Sequence, residues 1–336
     1  MPAILASITM SKRPKKHMQT ISVYINQNAS HASGDLRQKI ESVLFRSNLL
    51  FKQPKGAQAL DECLEQDIDQ KVDAIVSVGG DGTANTIIQK IAGTDIGLLV
   101  VPGGTANDLA HELGNHQSLQ NVLQSIRNKE FKKIDLIKIN GRFMATSGGI
   151  GFGGKVAQKI NRLRAAYPVF KKVMNLSGSK IYSLFVAQEL LSLHLDRHRI
   201  RVTSQELSGV YDVAALFVNN QSTVAGKFEL APFTANNDGR FNVILVTHRN
   251  RAQLINCVIK VSMGHFPEND PDFITFETDK IEIETLESEK GFFFGDGEIL
   301  GQGPKWEVEV VKDSLKVFTR SSKNCDLPLP QNFGLS

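Results

Sequence analysis

The sequence predicts an α/β domain built on a parallel sheet, followed by a β-rich sandwich domain. Up to about residue 130, short apolar runs alternate with stretches of helical spacing. That alternation gives parallel strands covered on both faces. Beyond it, short alternating strands recur at close spacing, the pattern of an antiparallel sheet or sandwich. A third observation places the business end: two glycine-rich segments each close an apolar run, and open α/β sheets bind ligands beyond the carboxyl ends of their strands.

In chain order, Thr20 to Ile25 reads as the first strand. Ser33 to Ser47 carries Leu36, Ile40 and Leu44 at helical spacing. Leu49 to Phe51 is a short strand, Gln58 to Asp67 a helix with Leu60 and Leu64 on one face, and Ala74 to Val78 a buried strand. A glycine turn then leads into a helix over Thr86 to Ile91, and Gly97 to Val101 makes the next strand. Lys133 to Ile139 and Arg142 to Thr146 flank Asn140-Gly141, a hairpin signal. Lys155 to Leu195 is mostly helical in pattern, broken near Pro168 and Ser177-Gly178. Strands follow at Ile200–Thr203, Val210–Val218, Phe241–Val246, Phe273–Thr278, Lys280–Glu284, Gly291–Phe294, Trp306–Val311 and Leu315–Thr319, with one helix, Arg251 to Met263, among them.

Composition fits a globular chain of two domains: 336 residues, 41% hydrophobic, 22% charged and a net charge of +4. So mild a charge permits an anionic membrane or nucleotide and demands neither; no nucleic-acid partner is expected. No apolar run approaches the roughly 20 residues of a membrane span. The basic cluster Ser11 to Lys16 follows the apolar start, the reverse of a signal peptide's order, so the first residues read as a loose tail. Cys63, Cys257 and Cys325 lack metal-ligand spacing and read as free thiols of a reducing compartment. His194 and His198 have the spacing of a helical metal pair but no third ligand, and read as a solvated helix end.

Four segments carry chemistry. Val-Gly-Gly-Asp-Gly-Thr-Ala-Asn at 78–85 lies between a strand and a helix, where glycines admit a phosphate to backbone amides and a helix N-terminus. No Gly-Lys-Ser/Thr follows, so the positive charge must come from elsewhere, and Asp81 points to a metal ion. Pro-Gly-Gly-Thr-Ala-Asn-Asp at 102–108 repeats the pattern on the same rim, with Thr105 or Asn107 as helix cap and Asp108 in the first turn. Ala235 to Arg240 is a turn whose carboxylate and carbonyls suit a hard cation as well as a plain reversal. Gly-Asp-Gly-Glu at 295–298 puts two carboxylates at a strand end, where they serve as a hairpin turn, a general base or a metal-linked pair.

Taken together the chain resembles the diacylglycerol kinase catalytic family, especially its soluble bacterial branch. Gly-Gly-Asp-Gly-Thr-Ala-Asn at 79–85, Pro-Gly-Gly-Thr-Ala-Asn-Asp-Leu-Ala at 102–110 and Gly-Gly-Ile-Gly-Phe-Gly-Gly at 148–154 carry the resemblance. Val-Asn-Asn at 218–220, Leu-Ala-Pro at 230–232, Asp-Gly at 238–239 and Asp-Gly-Glu at 296–298 extend it in order. It implies a first domain like that of NAD kinases and 6-phosphofructokinases. The implied division is a flexible basic tail at 1–19, a nucleotide-binding domain at 20–142, a β-rich lipid-substrate domain at 143–320 and a tail at 321–336 that packs back on the first domain.

The resemblance further implies an ATP-dependent kinase of a lipid alcohol, with Mg2+. Gly79, Gly80, Asp81, Gly82, Thr83, Ala84 and Asn85 would meet the nucleotide, with Thr105 and Asn26 as further contacts. Glu298 matches the proton acceptor, Asp296 its neighbour, and Asp108 an acid of the magnesium network. Asp238, with the carbonyls of Ala235 and Arg240, matches a second magnesium site. Asn26-Gln27 stands where the family has Asn-Pro. The expected setting is cytoplasmic and peripheral to an anionic membrane, with Lys155 to Leu195 facing the bilayer, and an exposed sheet edge would support a homodimer. Two other readings are a NAD kinase-like enzyme and a non-catalytic nucleotide- or lipid-sensing protein.

Overall fold

The computed structural model describes residues 18–26, 34–104, 107–115, 118–151, 159, 163, 196–224, 228–286 and 291–319. The first half runs β1 (Thr20–Ile25), α1 (Gly34–Val43), β2 (Asn48–Lys52), α2 (Ala57–Asp69), β3 (Ala74–Gly79), α3 (Asp81–Ile91), β4 (Gly97–Pro102), α4 (Asp108–Glu112) and α5 (Leu119–Asn128). β1 pairs in parallel with β2 and β3, and β3 with β4. Every residue of β3 is buried because both faces are covered. Ile75 packs with α2 and α3, while Ala74, Val76 and Val78 pack with α1 and α5.

The second half adds β5 (Phe131–Ile139), β6 (Arg142–Met144), β7 (Ser147–Gly151), β8 (His198–Thr203), β9 (Ser208–Val213), β10 (Ala215–Asn219), β11 (Thr223–Val224), β12 (Phe228–Glu229) and β13 (Phe241–Val246). After α6 (Arg251–Ser262) come β14 (Phe273–Thr278), β15 (Lys280–Thr285), β16 (Gly291–Gly295), β17 (Glu298–Gly303) and β18 (Lys305–Phe318). Asn140 and Gly141 both have positive φ between paired Ile139 and Arg142, the two-residue hairpin expected there.

Two sheets result. One is ten-stranded, ordered β2-β1-β3-β4-β18-β15-β8-β9, with β5 on β18 and β6 on β5. The other is six-stranded, ordered β14-β13-β10-β7-β16-β17. Their facing sides form the sandwich core: Ile200, Ile281, Trp306 and Val308 from the first meet Ile150, Leu216, Val243 and Phe293 from the second. The opposite side of the six-stranded sheet, with Phe217 and Ile244, is covered by Leu254, Cys257 and Val261 of α6. β18 belongs to both halves of the chain, pairing antiparallel with β15 and parallel with β4 at Val317 and Leu98.

Several expectations are corrected. The helix after the first glycine turn starts at Asp81, not Thr86, so residues 81–85 are its opening turns. Val210–Val218 is two strands in different sheets, parted at Ala214, because the chain crosses the sandwich there. Trp306–Val311 and Leu315–Thr319 are parts of one strand with an irregularity between Val311 and Leu315. β7, β17 and α5 were not foreseen. His198 opens β8 rather than ending a helix. The expected helical stretch 155–195 lies outside the described residues except for Lys159 and Leu163, which are helical. Both chain tails and Cys325 also lie outside.

Two packing features carry stability. Asp67, fully buried, accepts from Ser22 Oγ (2.7 Å), Tyr24 Oη (2.5 Å) and Lys52 Nζ (2.6 Å). Asp67→Ala would leave Lys52, Ser22 and Tyr24 without their acceptor, and a loss of roughly 3 kcal/mol in denaturant unfolding is expected. The β7 backbone runs close between β10 and β16. Gly149 has φ +145, and a Cβ there would collide with the Leu216 carbonyl oxygen. Gly149→Ala is therefore expected to cost about 4 kcal/mol or more, read as a fall in melting temperature or in soluble yield.

Candidate active site

The two glycine loops touch. Gly103 N–H donates to the Gly79 carbonyl (2.8 Å), and Asn107 N–H donates to Asp81 Oδ2 (2.9 Å). A Cβ on Gly104 would stand 2.5 Å from the Cα of Gly80, so only glycine lets the backbones come together. Asn107 has φ +54 and precedes α4, but it does not cap the helix with its side chain. Its carboxamide instead closes the loop on Gly104, accepting from N–H (2.8 Å) and donating to the carbonyl (2.9 Å). Thr105 lies outside the described residues.

Within α3, Gly80 is the N-cap and Asp81 the first helical residue. The amides of Thr83 and Ala84 return to the Gly80 carbonyl (3.1 and 3.2 Å). Thr83 Oγ1 accepts from Asn26 Nδ2 (3.0 Å), which ties the end of β1 to this turn. Ala84 packs into the core. Asn85 donates from Nδ2 to Asp296 Oδ2 (2.6 Å). The predicted phosphate run thus divides: Gly80 to Thr83 form the rim, and Ala84 and Asn85 anchor it.

The Asp-Gly-Glu segment arrives from the other sheet. Asp296 (φ 50) and Gly297 (φ 77) form the two-residue turn of the β16–β17 hairpin, where Gly295 pairs with Glu298. The hairpin reading is therefore realised. Asp296, 7% exposed, accepts from Asn85, Ala145 N–H (3.0 Å), Thr146 N–H (2.9 Å) and Thr146 Oγ1 (2.6 Å). Its lone pairs are well occupied by protein donors, so it fixes the turn rather than presenting a bare ligand. Glu298, next along, keeps an exposed face and reaches α3: a Cβ on Gly82 would stand 2.8 Å from its Oε1.

Electrostatics mark the same place. Burial lifts the Asp81 carboxyl from the ordinary 3.8 to about 6, and Asp296 pushes the same way, against amides of Asn107 and Asp108 that lower it. Glu298 is also raised, first by desolvation; Arg142 opposes and Asp296 adds to the rise. Arg142, on β6, is a site cation the sequence reading missed. Its only signal was its place beside the hairpin turn.

A raised folded-state value makes ionised Asp81 unfavourable, so its stability contribution is present below pH 4 and lost as pH rises toward 6. Asp81→Asn should flatten that loss. The variant is expected to gain roughly 2–3 kcal/mol on metal-free wild type between these pH values, measured by urea unfolding.

Asp81 and Asp108 share this rim, since Asp81 accepts from the Asp108 amide. A buried carboxylate raised by a second acid suits a divalent cation, which would offset both costs. The other expected metal turn is held by protein contacts of its own. Asp238 Oδ1 accepts from Arg240 N–H (3.0 Å), and the Arg240 guanidinium pairs with Glu206 (2.6 Å). Lys132 Nζ reaches Asn236 Oδ1 (3.2 Å), and Lys312 Nζ would stand 2.6 Å from a Cβ on Gly239. Asp135, from β5, holds the turn by accepting Gly239 N–H (2.7 Å). The expected oxygen donors there are the Asp238 carboxylate and the carbonyls of Ala235 and Arg240, with Lys132 and Lys312 reaching the neighbouring Asn236 and Gly239. Asn220 links the two regions, donating to the carbonyls of Asp135 (2.9 Å) and Ala145 (3.0 Å).

Comparison with known proteins agrees with this fold. Residues 20–139 match the model of the diacylglycerol kinase catalytic domain, and residues 150–319 that of the YegS C-terminal NAD kinase beta sandwich-like domain. A diacylglycerol kinase of Bacillus subtilis (strain 168) is 27% identical over 238 residues, 70% of this chain and 74% of that protein. A diacylglycerol kinase of Staphylococcus aureus (strain bovine RF122 / ET3-1) is 24% identical over 250 residues, 74% of this chain and 75% of that one. A crystal structure of a diacylglycerol kinase from Bacillus anthracis str. Sterne superposes with a TM-score of 0.68 at 19% identity, covering 91% of this chain and 98% of that one. With one domain model spanning its α/β half and the other its sandwich half, the chain belongs to the diacylglycerol kinase catalytic family and carries a YegS-type C-terminal domain.

Proposed function

We propose that this protein transfers the γ-phosphoryl group of ATP to the hydroxyl of a lipid alcohol of the diacylglycerol class. The observation that carries the reading is the meeting of two glycine loops, Asp81 and Glu298 at the N-terminus of α3. Phosphoryl transfer needs charge neutralisation, alignment and a destination for the alcohol proton. The rim from Gly80 to Thr83 offers a helix N-terminus to the phosphates. Mg2+, held through Asp81 and Asp108, would neutralise phosphate oxygens. Glu298, raised toward the range where a carboxylate accepts protons efficiently, takes the hydroxyl proton as the oxygen attacks. Asp296 holds Glu298 in place by anchoring the hairpin to Asn85 and Thr146.

No helix among the described residues is long and apolar enough to cross a membrane. A lipid substrate then requires peripheral docking, and the basic stretch from Lys155 is our candidate for it. Anionic vesicles should sediment the protein more than neutral ones, and equal binding would exclude electrostatic docking. The function itself is tested with labelled ATP and lipid alcohols in mixed micelles. Label is expected in phosphorylated diacylglycerol or a close relative; label in NAD but in no lipid would overturn the proposal.

A further inference from the structure

On the α6 side of the six-stranded sheet, three side chains of different chemistry converge from three successive segments of the chain. His248 follows β13, Cys257 lies in the middle of α6, and Asp270 precedes β14. One ligand atom from each lies within 4.8 Å of the other two. His248 and Cys257 are 2% and 3% exposed, and Asp270 is half-buried. We propose that these residues form a metal site of the zinc class, which clamps α6 to both ends of the β13–β14 connection.

The donor set argues for that class of ion. Imidazole, thiol and carboxylate together suit a borderline-soft dication such as Zn2+, and oxygen-loving Mg2+ or Ca2+ is not expected on sulfur. Metal–ligand bonds of about 2.0–2.3 Å put donors around a tetrahedral ion roughly 3–4 Å apart. The cluster brackets that spacing: His248 Nε2 is 2.9 Å from Asp270 Oδ2, and no separation exceeds 4.8 Å.

Three further features support the assignment. Asp270 Oδ1 accepts from Asp272 N–H (3.1 Å), which orients the carboxylate with Oδ2 toward the imidazole. His248 Nδ1, buried, has no hydrogen-bond partner among the described residues, so the ring is not consumed by a two-sided hydrogen-bond relay. The nearby guanidinium of Arg197 is spoken for by Asp212 (2.9 Å) and the carbonyls of Thr247 and His248. Charge also balances. A thiolate, a carboxylate and a neutral imidazole cancel a dication, leaving a neutral centre that tolerates burial. On binding, the Sγ–metal bond forms as the thiol proton leaves to solvent, and the neutral imidazole shifts its one proton from Nε2, where it serves the Asp270 contact, to Nδ1, which frees Nε2 for the ion. Water fills the fourth position. Without metal, burial and Asp270 push the Cys257 thiol up to about 11.

The test uses the full chain without a histidine tag, loaded separately with Co2+ and Zn2+ and dialysed. Wild type is expected to retain about one metal per chain, to show intense tetrahedral Co2+ bands with a thiolate-to-metal charge-transfer band, and to melt higher with Zn2+. Cys257→Ser and Asp270→Asn, checked for folding by circular dichroism, should each weaken retention tenfold or more, and Cys257→Ser should lose the charge-transfer band. A wild-type Co2+ spectrum that is octahedral and weak overturns the site whatever the variants do. So does a charge-transfer band that survives in Cys257→Ser, since it would then belong to Cys63 or Cys325.

Discussion

Glu298→Gln is expected to fold normally and to lose about 100- to 10,000-fold in turnover, the usual worth of a positioned general base. The amide keeps the shape of the side chain against Gly82 but cannot accept the alcohol proton. Stability should hold or rise slightly, because a carboxyl raised by desolvation is a net cost to the fold when ionised. The pH profile adds a second reading of the same residue. The acid limb of kcat/KM should lie above the ordinary glutamate value of 4.5, in keeping with the raised Glu298. Unchanged kcat in the variant, with labelled ATP and lipid saturating, would remove Glu298 from the base role.

Asp296→Ala is expected to do something different: to destabilise the whole chain by roughly 3–5 kcal/mol and to abolish activity with it. The carboxylate accepts from Asn85 on α3, from Ala145 and from both the amide and hydroxyl of Thr146. Removing it strands those buried donors together, and each is costly to leave unmet. Chemical denaturation of the variant measures the loss directly. Asp296→Asn should fall between, since its amide oxygen replaces one acceptor while its NH2 faces a donor. If Asp296→Ala were as stable as wild type and merely inactive, Asp296 would be a ligand or acid in the chemistry and not the joint described here.

The contrast between these two residues shows how much was legible in the sequence. The acids themselves were readable, because Asp and Glu beside glycine at a strand end stand out. The anchoring contacts of Asp296 were not. The partners of Asp296 lie 150 or more positions away, and no local pattern announces a contact at that range. Strands such as β1, β13 and β14 were readable because apolar side chains dominate them. β7 was not, since glycines are poor strand formers and tertiary packing overrides that preference. The start of α3 was misplaced for a similar reason: Gly82 and Thr83 have weak helix propensity, yet the turn is held by Gly80 and by the loop beside it. The break at Ala214 escaped because alanine is buried equally well in either sheet. α5 carried a fair signal in Ser118, whose hydroxyl accepts from Asn121 N–H at the helix start.

β18 has a consequence for biosynthesis. The strand that flanks β4 comes from the far end of the described chain, so the N-terminal half emerges from the ribosome with one side of β4 bare. Until Val317 docks beside Leu98, that open edge is a template for wrong partners, including other nascent copies. Truncation before Lys305 should therefore yield no separable N-terminal unit but an insoluble fragment, and the two halves of this enzyme should unfold in one cooperative step.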